Sequence, residues 1–188
     1  GDYITINISS PNTTGLRDFH DEDALKKLLT KINEIREKSN FNKSFLLKVS
    51  PDLDSSQIPV IVKLILEYKI DGVILTNTSN KNRDNLKDPN SKENGGLSGK
   101  PIRDLSTEFV KKFYRNLNGK IPIIGVGGVD SGESAFEKIA AGASAVQLYT
   151  GLIYKGPNIV KVIKKDLIKI LNNKGFKNIS EAVGTSSH

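Results

Sequence analysis

The stretch YITINISSPNTTGLR, residues 3–17, passes from an apolar run into a polar turn within a few residues. Its first part, residues 3–8, is nearly continuous in isoleucine and other strand-favouring residues, which is typical of a strand covered on both faces. The turn that follows contains Ser10, Pro11 and Gly15, residue types that favour a change of chain direction. A buried strand that ends in a polar loop is typical of a β/α unit, in which functional groups follow the strand.

Four further runs of the same kind follow, so the sequence predicts five strands. Apolar residues recur at helical spacing between them, and each such stripe predicts an amphipathic helix. Strands that alternate with helices are typical of a parallel sheet, and the predicted fold class is therefore α/β. The predicted strands are residues 3–8, 45–49, 72–76, 121–126 and 145–149. The predicted helical stripes are residues 24–35, 61–68, 109–117 after a start at Ser106 and Thr107, 135–140 after Gly132, and 160–171 before Gly175.

The number of β/α units bears on the architecture. A (β/α)8 barrel, or TIM barrel, has eight strands and usually about 250 residues, whereas this chain has 188 residues and five predicted units. An open sheet would expose long unpaired edges, which favour aggregation. We therefore expect residues 1–188 to form a single domain that supplies about the last five units of such a barrel. Other polypeptide, either covalently upstream or a separate piece of the same protein, is expected to supply the first three strands.

Composition excludes several kinds of site. Cysteine is absent, which excludes disulfides, thiolate metal sites and a cysteine nucleophile. A net charge of +7 could indicate a nucleic-acid surface, but the lysines are scattered along predicted helices without interleaved aromatic residues. We therefore expect solvated helix faces and no nucleic-acid partner. Examples of these lysines are Lys111, Lys112, Lys161, Lys164 and Lys165.

The apolar runs and the histidines allow two further expectations. The longest apolar run, residues 58–66, is interrupted by Pro59 and Lys63, so no stretch reaches the roughly 20 residues that span a bilayer. The two histidines, His20 and His188, are distant in sequence and have no companion ligands. We therefore expect both at the surface, and no metal site.

Polar residues or glycines stand where each predicted strand ends. Because the carboxyl ends of parallel strands share one edge, we expect these residues to form one site. They are Ser10, Pro11 and Asn12, then Lys48, then Asn77 and Thr78, then Gly127 and Gly128, and finally Thr150 and Gly151. Consecutive glycines let backbone amides approach an anion, so the last two turns predict a phosphate site, with simple tight turns as the alternative. Residues 79–94, rich in Asn, Lys and Ser, are predicted as a mobile surface loop.

The loop NISSPNTTGLR, residues 7–17, resembles the catalytic loop of the dihydroorotate dehydrogenases. The resemblance continues through later motifs and covers nearly the whole chain in order. Those motifs are LKVSPDL (47–53), DGVILTNT (71–78), GGLSGKP (95–101), the Gly127-Gly128 turn and AGASAVQLYT (141–150). The family's soluble class has a cysteine at the position of Ser10, and its membrane-associated, quinone-reducing class has a serine. Ser10 therefore indicates the second class.

The resemblance implies an FMN enzyme that oxidises (S)-dihydroorotate to orotate in de novo pyrimidine (UMP) biosynthesis. Ser10 would take the proton from C5 through a relay that involves Thr13, while the hydride from C6 passes to FMN. Lys48 would stabilise the negative charge on the reduced flavin. The implied substrate-binding residues are Asn7, Asn12, Asn77 and Thr78, whose amides and hydroxyl suit a ring of alternating donors and acceptors. The implied FMN-binding residues are Asn7, Lys48, Thr76, Gly99, Gly128, Tyr149 and Thr150.

The class resemblance also implies ubiquinone as electron acceptor, bound through an N-terminal helical segment that residues 1–188 do not contain. Membrane association would come through the same missing part. Residues 99–107 and 181–184 are more similar to eukaryotic members, which implies the mitochondrial inner membrane, with a bacterial cytoplasmic membrane as the alternative. Two other functions stay open: an FMN barrel that acts on other pyrimidines or on tRNA, and a non-catalytic module that binds a phosphate ligand.

Overall fold

A computed structural model describes residues 1–39, 42–81 and 83–187, and His188, which is expected at the surface, lies outside the described residues. Within them, the chain forms a five-stranded parallel sheet in the order β1-β2-β3-β4-β5. The strands are β1 (Tyr3–Asn7), β2 (Ser44–Val49), β3 (Gly72–Leu75), β4 (Ile123–Val126) and β5 (Ala145–Gln147). The α-helices are α1 (Glu22–Lys38), α2 (Gln57–Glu67), α3 (Arg103–Leu117), α4 (Gly132–Ala140), α5 (Thr150–Lys155) and α6 (Ile159–Asn173). Short 3₁₀ helices cover Leu16–His20, Pro89–Lys92, Lys100–Ile102 and Ile179–Ala182.

The five predicted strands are confirmed, with ends that differ by one or two residues. The predicted start of the third helix is wrong, because α3 begins at Arg103 rather than at Ser106 and Thr107. The Ser106 hydroxyl instead donates to the carbonyl of Val126, and Thr107 Oγ1 donates to Arg103 O at 2.9 Å. Both hydroxyls therefore bond to carbonyls, whereas an N-cap side chain accepts from backbone N–H groups.

Strand register decides which side chains face the helices and which face the inside of the curved sheet. Asn7 pairs with Lys48, Lys48 with Ile74, and Ile74 with Ile124, so these residues share the inner face. Their neighbours along the strands point outward and form the main core against α1, α2 and α3. That outward set includes Leu47, Val49, Val73, Leu75 and Ile123. Lys48 therefore lies on the inner face, near the carboxyl end of β2.

A hydrogen bond between the two outermost strands shows how strongly the sheet curves. Gln147 Nε2 on β5 donates to the Tyr3 hydroxyl on β1 at 2.9 Å. In a flat sheet, four strand spacings would separate β1 from β5 by roughly 19 Å, beyond the reach of two side chains. The sheet is therefore a curved wall of a β/α barrel. β1, at one edge of the wall, is exposed at four of its five residues.

A second apolar cluster joins α4 to α6 and contains Ala135, Ile139, Ile163 and Leu167.

Within the described part of the chain, none of the helices combines the length and the apolar character that a membrane crossing requires. Nor do His, Asp and Glu side chains form a group of three or more that could hold a metal ion in residues 1–39, 42–81 and 83–187.

His20 contradicts the expectation that it lies at the surface. Only 7% of its surface is exposed, and its Nε2 has no hydrogen-bond partner among the residues that the structure describes. Burial, together with the nearby positive charge of Arg17, lowers the pKa of His20 to about 4. The residue type suggested exposure. His20 instead ends the short 3₁₀ helix Leu16–His20, and its side chain is buried there. His20 is therefore a neutral, buried side chain at neutral pH.

The His20 pKa predicts a pH dependence of folding stability. The unfolded imidazole binds a proton near pH 6.5 and the folded one only near pH 4, so stability falls as the pH drops from 6.5 towards 4. Between pH 7.5 and pH 5 this residue should lower the free energy of unfolding by about 2 kcal/mol. Urea unfolding of the full-length protein and of His20→Leu at both pH values measures the difference. Equal pH dependence in the two proteins would contradict the prediction.

Candidate active site

A cavity of about 970 Å³ lies at the carboxyl ends of β2, β3, β4 and β5. Its wall also includes the residues that lead into the 3₁₀ helix Lys100–Ile102. Ten of the residues predicted from the sequence line it, namely Lys48, Thr76, Asn77, Thr78, Gly99, Gly127, Gly128, Tyr149, Thr150 and Gly151. The parallel topology therefore brings together residues that are up to 103 positions apart in sequence.

The loop after β1 lies beside this cavity and carries Ser10, Asn12 and Thr13. Ser10 Oγ accepts a hydrogen bond from Asn12 N at 3.3 Å and a long one from Thr13 Oγ1 at 3.5 Å. Asn12 lines a second, smaller cavity of about 440 Å³ together with Pro11, Asn80, Asn94 and Gly95. Ser10 is only partly exposed and lines neither of the two cavities, and its oxygen faces two donors of its own loop.

A network of carboxamides connects the loop after β1 to the loop after β3. Asn77 Nδ2 donates to Asn7 Oδ1 at 3.3 Å and to Ser9 Oγ at 3.0 Å. Asn7 Oδ1 also accepts from Ser9 Oγ at 2.7 Å, and Asn77 Oδ1 accepts from Thr78 N at 2.8 Å. Ser9, which is fully buried, was not singled out from the sequence. It fixes the orientation of both amides, because its hydroxyl accepts from one and donates to the other.

Lys48 contributes a positive charge to the wall of the large cavity. The side chain is partly buried, and burial lowers the pKa of Lys48. No hydrogen bond or ion pair joins its ammonium to another residue in the described part of the chain. Its register partner Asn7 lies on the same inner face. An ammonium that is partly desolvated and unpaired can stabilise negative charge on a bound ligand.

Two glycines of the cavity wall, Gly128 after β4 and Gly99 before the 3₁₀ helix Lys100–Ile102, lie very close to other segments. Gly128 has a φ of 73°, and a Cβ added there would lie 2.5 Å from Arg103 Cβ. Gly99 has a φ of 75°, and its added Cβ would lie 2.8 Å from Thr150 Cγ2. Any side chain at either position would therefore be both strained and in collision. These close approaches bring the backbone of three segments to one end of the cavity.

Arg103 holds the glycine turn and was not identified from the sequence. Its Nε donates to Gly128 O at 3.0 Å, and its Nη2 forms an ion pair with Asp130. Lys155 Nζ donates to Asp130 O at 2.8 Å. Arg103 holds the carbonyl of Gly128. Because the peptide bond is planar and trans, the N–H of Val129 points in the opposite direction. Asp130 and Lys155 therefore line this end of the cavity, and Arg103 holds Asp130 and the turn from behind it.

Thr150 and Tyr149 complete this end in different ways. Thr150 Oγ1 donates to Ser98 Oγ at 3.0 Å, which ties the start of α5 to the segment before Gly99. Tyr149 lines the cavity and is 75% exposed.

The polar stretch 79–94 has more structure than a free surface loop. Ser79 and Leu97 form an antiparallel bridge with N–H···O distances of 3.1 and 2.7 Å, which closes the base of the stretch. Arg83 donates to three carbonyls, those of Ser91, Glu93 and Gly95. The stretch also contains the 3₁₀ helix Pro89–Lys92, which Asp88 caps. The sequence composition gave no sign of this internal order, because the contacts use backbone carbonyls.

Comparisons with known proteins agree with these observations. The family described as dihydroorotate dehydrogenase matches residues 1–171. The dihydroorotate dehydrogenase (quinone) of Trichodesmium erythraeum is 46% identical over 195 residues, which cover 100% of this chain and 50% of that protein. The mitochondrial dihydroorotate dehydrogenase (quinone) of Mus musculus is 44% identical over 185 residues, which cover 97% of this chain and 47% of that protein.

A solved structure supports the same assignment and the barrel. The crystal structure of ligand-free DHODH from Eimeria tenella superposes with a TM-score of 0.93 at 36% identity, and covers 98% of this chain and 56% of that one. The chain spans about half the length of the curated relatives it matches. The predicted α/β fold, part of a TIM barrel, is therefore confirmed. With the family match along residues 1–171 and these identities, the chain belongs to the dihydroorotate dehydrogenase family.

Proposed function

We propose that this chain is the C-terminal, FMN-holding part of an enzyme that oxidises (S)-dihydroorotate to orotate in de novo pyrimidine (UMP) biosynthesis. The observation that carries the proposal is the meeting of Lys48, Asn77 and Thr78 on one cavity, with the Ser10 loop joined to it through the Asn7–Asn77 contact. Family membership supports the same reaction. An acid–base group, a cation and several carboxamides suit a planar, polar ring that loses a proton and a hydride.

The residues present fit FMN. The cavity volume of about 970 Å³ lies at the upper end of the range for ligand sites. The turn at Gly128 and the close approach of Gly99 to Thr150 bring backbone to one end of the cavity, where Tyr149 and Thr150 would help to bind the phosphate. Lys48, Thr76 and Asn7 would lie along the ring system. FMN, when bound, would supply the acceptor for the hydride from C6.

Ser10 is proposed as the base that removes the proton from C5. A serine hydroxyl is a weak base, so its own proton must leave as it accepts another, and Thr13 is the adjacent hydroxyl for that relay. The 3.5 Å separation of the two oxygens is long for a hydrogen bond and would shorten when substrate binds. Asn12 N, which donates to Ser10 Oγ, would stabilise negative charge on that oxygen.

Asn7, Asn12, Asn77 and Thr78 are proposed to bind the substrate. Each amide offers both a donor and an acceptor, and the contact between Asn7 and Asn77 orients the two amides before substrate arrives.

Lys48 is proposed to stabilise charge on the reduced flavin. Its unpaired ammonium is available for that role because the described residues give it no competing carboxylate.

We further propose ubiquinone as the electron acceptor and a membrane as the site of action. Ser10 is the residue of the quinone-reducing class, and similar proteins named for quinone occur in cyanobacteria, in a haloarchaeon and in the mitochondria of mouse and Arabidopsis thaliana. The mitochondrial inner membrane is favoured, and a bacterial cytoplasmic membrane is the alternative. The remaining strands of the barrel and the quinone-binding segment would come from polypeptide beyond residues 1–188, since the relatives are about twice as long.

Anaerobic mixing of the purified full-length protein with dihydroorotate tests the proposal. The expected result is a yellow protein whose flavin absorbance bleaches on mixing and returns when ubiquinone is added. Dihydrouridine-containing tRNA and dihydrouracil serve as controls and should leave the absorbance unchanged. Bleaching by tRNA instead of dihydroorotate would favour a different FMN barrel, and a colourless protein would favour a phosphate-binding module without catalysis. Either result would contradict the proposed function.

Replacing Ser10 tests the assigned base. Ser10→Ala should slow flavin reduction by dihydroorotate about 10²- to 10⁴-fold, the usual contribution of a general base, while the flavin content stays at the wild-type value. Thr14→Ala is the matched control, because Thr14 is an exposed residue of the same loop, and it should react at the wild-type rate. A Ser10→Ala protein as fast as the Thr14→Ala protein would show that Ser10 is not the base.

Replacing Gly128 tests the phosphate end. Gly128→Ala should lose bound flavin, because its Cβ would meet the Arg103 backbone and side chain at 2.8 and 2.5 Å and displace the turn. Gly175→Ala has nearly the same φ, 78° against 73°, but its Cβ meets no atom within 4 Å. The control therefore carries the strain without the collision. The flavin-to-protein absorbance ratio measures the result, and equal flavin content in the two variants would refute the assignment of Gly128.

A further inference from the structure

Arg17 connects three loops at the carboxyl ends of β1, β2 and β3. Its guanidinium donates from Nη1 to Asp52 Oδ2 at 3.0 Å, from Nη2 to Thr78 O at 3.3 Å and from Nε to Ser9 O at 3.4 Å. Ser9 follows β1, Asp52 follows β2 and Thr78 follows β3. One side chain therefore holds three chain segments at positions beyond the strand ends, where the segments are no longer paired as strands.

Asp52 extends this connection. Its side chain is only 6% exposed, and it accepts hydrogen bonds from Ser79 Oγ at 2.5 Å and from Asn80 N at 2.9 Å, in addition to the ion pair with Arg17. A nearly buried carboxylate with a guanidinium and two further donors has a fixed orientation. The Arg17–Asp52 pair is thus a rigid link between the loop after β1 and the loop after β3.

The contact with Ser9 O bears directly on Ser10. That oxygen belongs to the planar peptide bond between Ser9 and Ser10, so holding it fixes the direction in which the chain enters Ser10. Ser10 lies in no strand or helix, and the contacts of its own hydroxyl are to Asn12 and Thr13 of the same loop, so they do not tie it to another segment. The Thr78 carbonyl is held in the same way on the opposite loop. One guanidinium therefore sets the distance between the Ser9 and Thr78 carbonyls, and with it the distance between the two loops.

We infer that Arg17 and Asp52 are positioning residues, which hold Ser10 and Thr78 at the separation that proton removal from the substrate requires. The inference rests on the proposed function. The hydrogen bonds of both side chains are to each other and to the surrounding loops, so we place neither side chain against substrate or flavin. They act through the backbone of the loops that carry the reacting groups.

The geometry requires arginine at position 17. A guanidinium offers five N–H donors in a planar fork, and the three acceptors here lie along that fork. Lysine would keep the charge and the attraction to Asp52, but a single ammonium on a flexible stem cannot hold all three oxygens in one plane. Arg17→Lys therefore removes the positioning while it preserves the ion pair.

The two half-reactions of the full-length, flavin-loaded enzyme separate positioning from general damage. In stopped-flow measurements, Arg17→Lys and Asp52→Asn should each slow flavin reduction by dihydroorotate about 10²-fold, the usual effect of misplacing a reacting group. Reoxidation of the reduced flavin by ubiquinone does not use Ser10, so its rate and the flavin content should stay at wild-type values. The double variant should be no slower than the slower single variant, because both act through one link.

Arg36→Lys is the matched control. Arg36 pairs with Asp71 at 3.2 Å and donates to Lys69 O at 3.3 Å, with exposure close to that of Arg17, but it lies at the amino ends of β2 and β3. Both half-reactions of this variant should match those of the wild type.

Each alternative outcome has a separate meaning. Wild-type rates for Arg17→Lys, with Ser10→Ala still slow, would overturn the inference and leave the proposed function standing. Loss of flavin, or equal slowing of both half-reactions, would show a merely structural role and would also overturn it. A wild-type enzyme whose flavin is not reduced by dihydroorotate would reject the proposed function itself.

Discussion

The parallel register of Asn7 with Lys48 and of Lys48 with Ile74 is the constraint on which the site depends. Strand side chains alternate between faces, so a slip of one residue would turn Lys48 into the helix-facing core and bring Leu47 or Val49 into the cavity. The apolar residues on the outer face prevent that slip, because a slip would expose them while burying a charge. Packing on the outer face of the sheet thereby determines which side chains point into the cavity from the inner face.

Beyond the strands, two arginine–aspartate pairs organise the two ends of the site. Arg17 and Asp52 hold the loops that carry Ser10 and Thr78, and Arg103 and Asp130 hold the turn at Gly128. Each arginine also bonds to backbone carbonyls, so each fixes peptide orientation as well as charge. The reacting end and the phosphate end would therefore be set independently, each by a pair whose members come from different loops.

The sequence predicted the strands well because each is a short apolar run bounded by polar or glycine residues. It also predicted the part of the cavity wall that follows the strands, because parallel strands deliver their last residues to one edge. It did not identify Ser9, Arg17 or Arg103, whose hydrogen-bond partners lie as many as 68 positions away and, for the two arginines, include backbone carbonyls, which every residue carries. His20 was misjudged for a related reason, since burial of a polar ring depends on how the loop folds over it.

A crystal structure of the full-length protein with FMN and orotate is the most direct test of the account. The pyrimidine should lie between the flavin ring and the Ser10 loop, with Ser10 Oγ within hydrogen-bonding reach of C5, the Lys48 ammonium at the flavin pyrimidine, and the phosphate at the Gly128 turn. A flavin bound elsewhere, or a pyrimidine whose C5 faces away from Ser10, would contradict it.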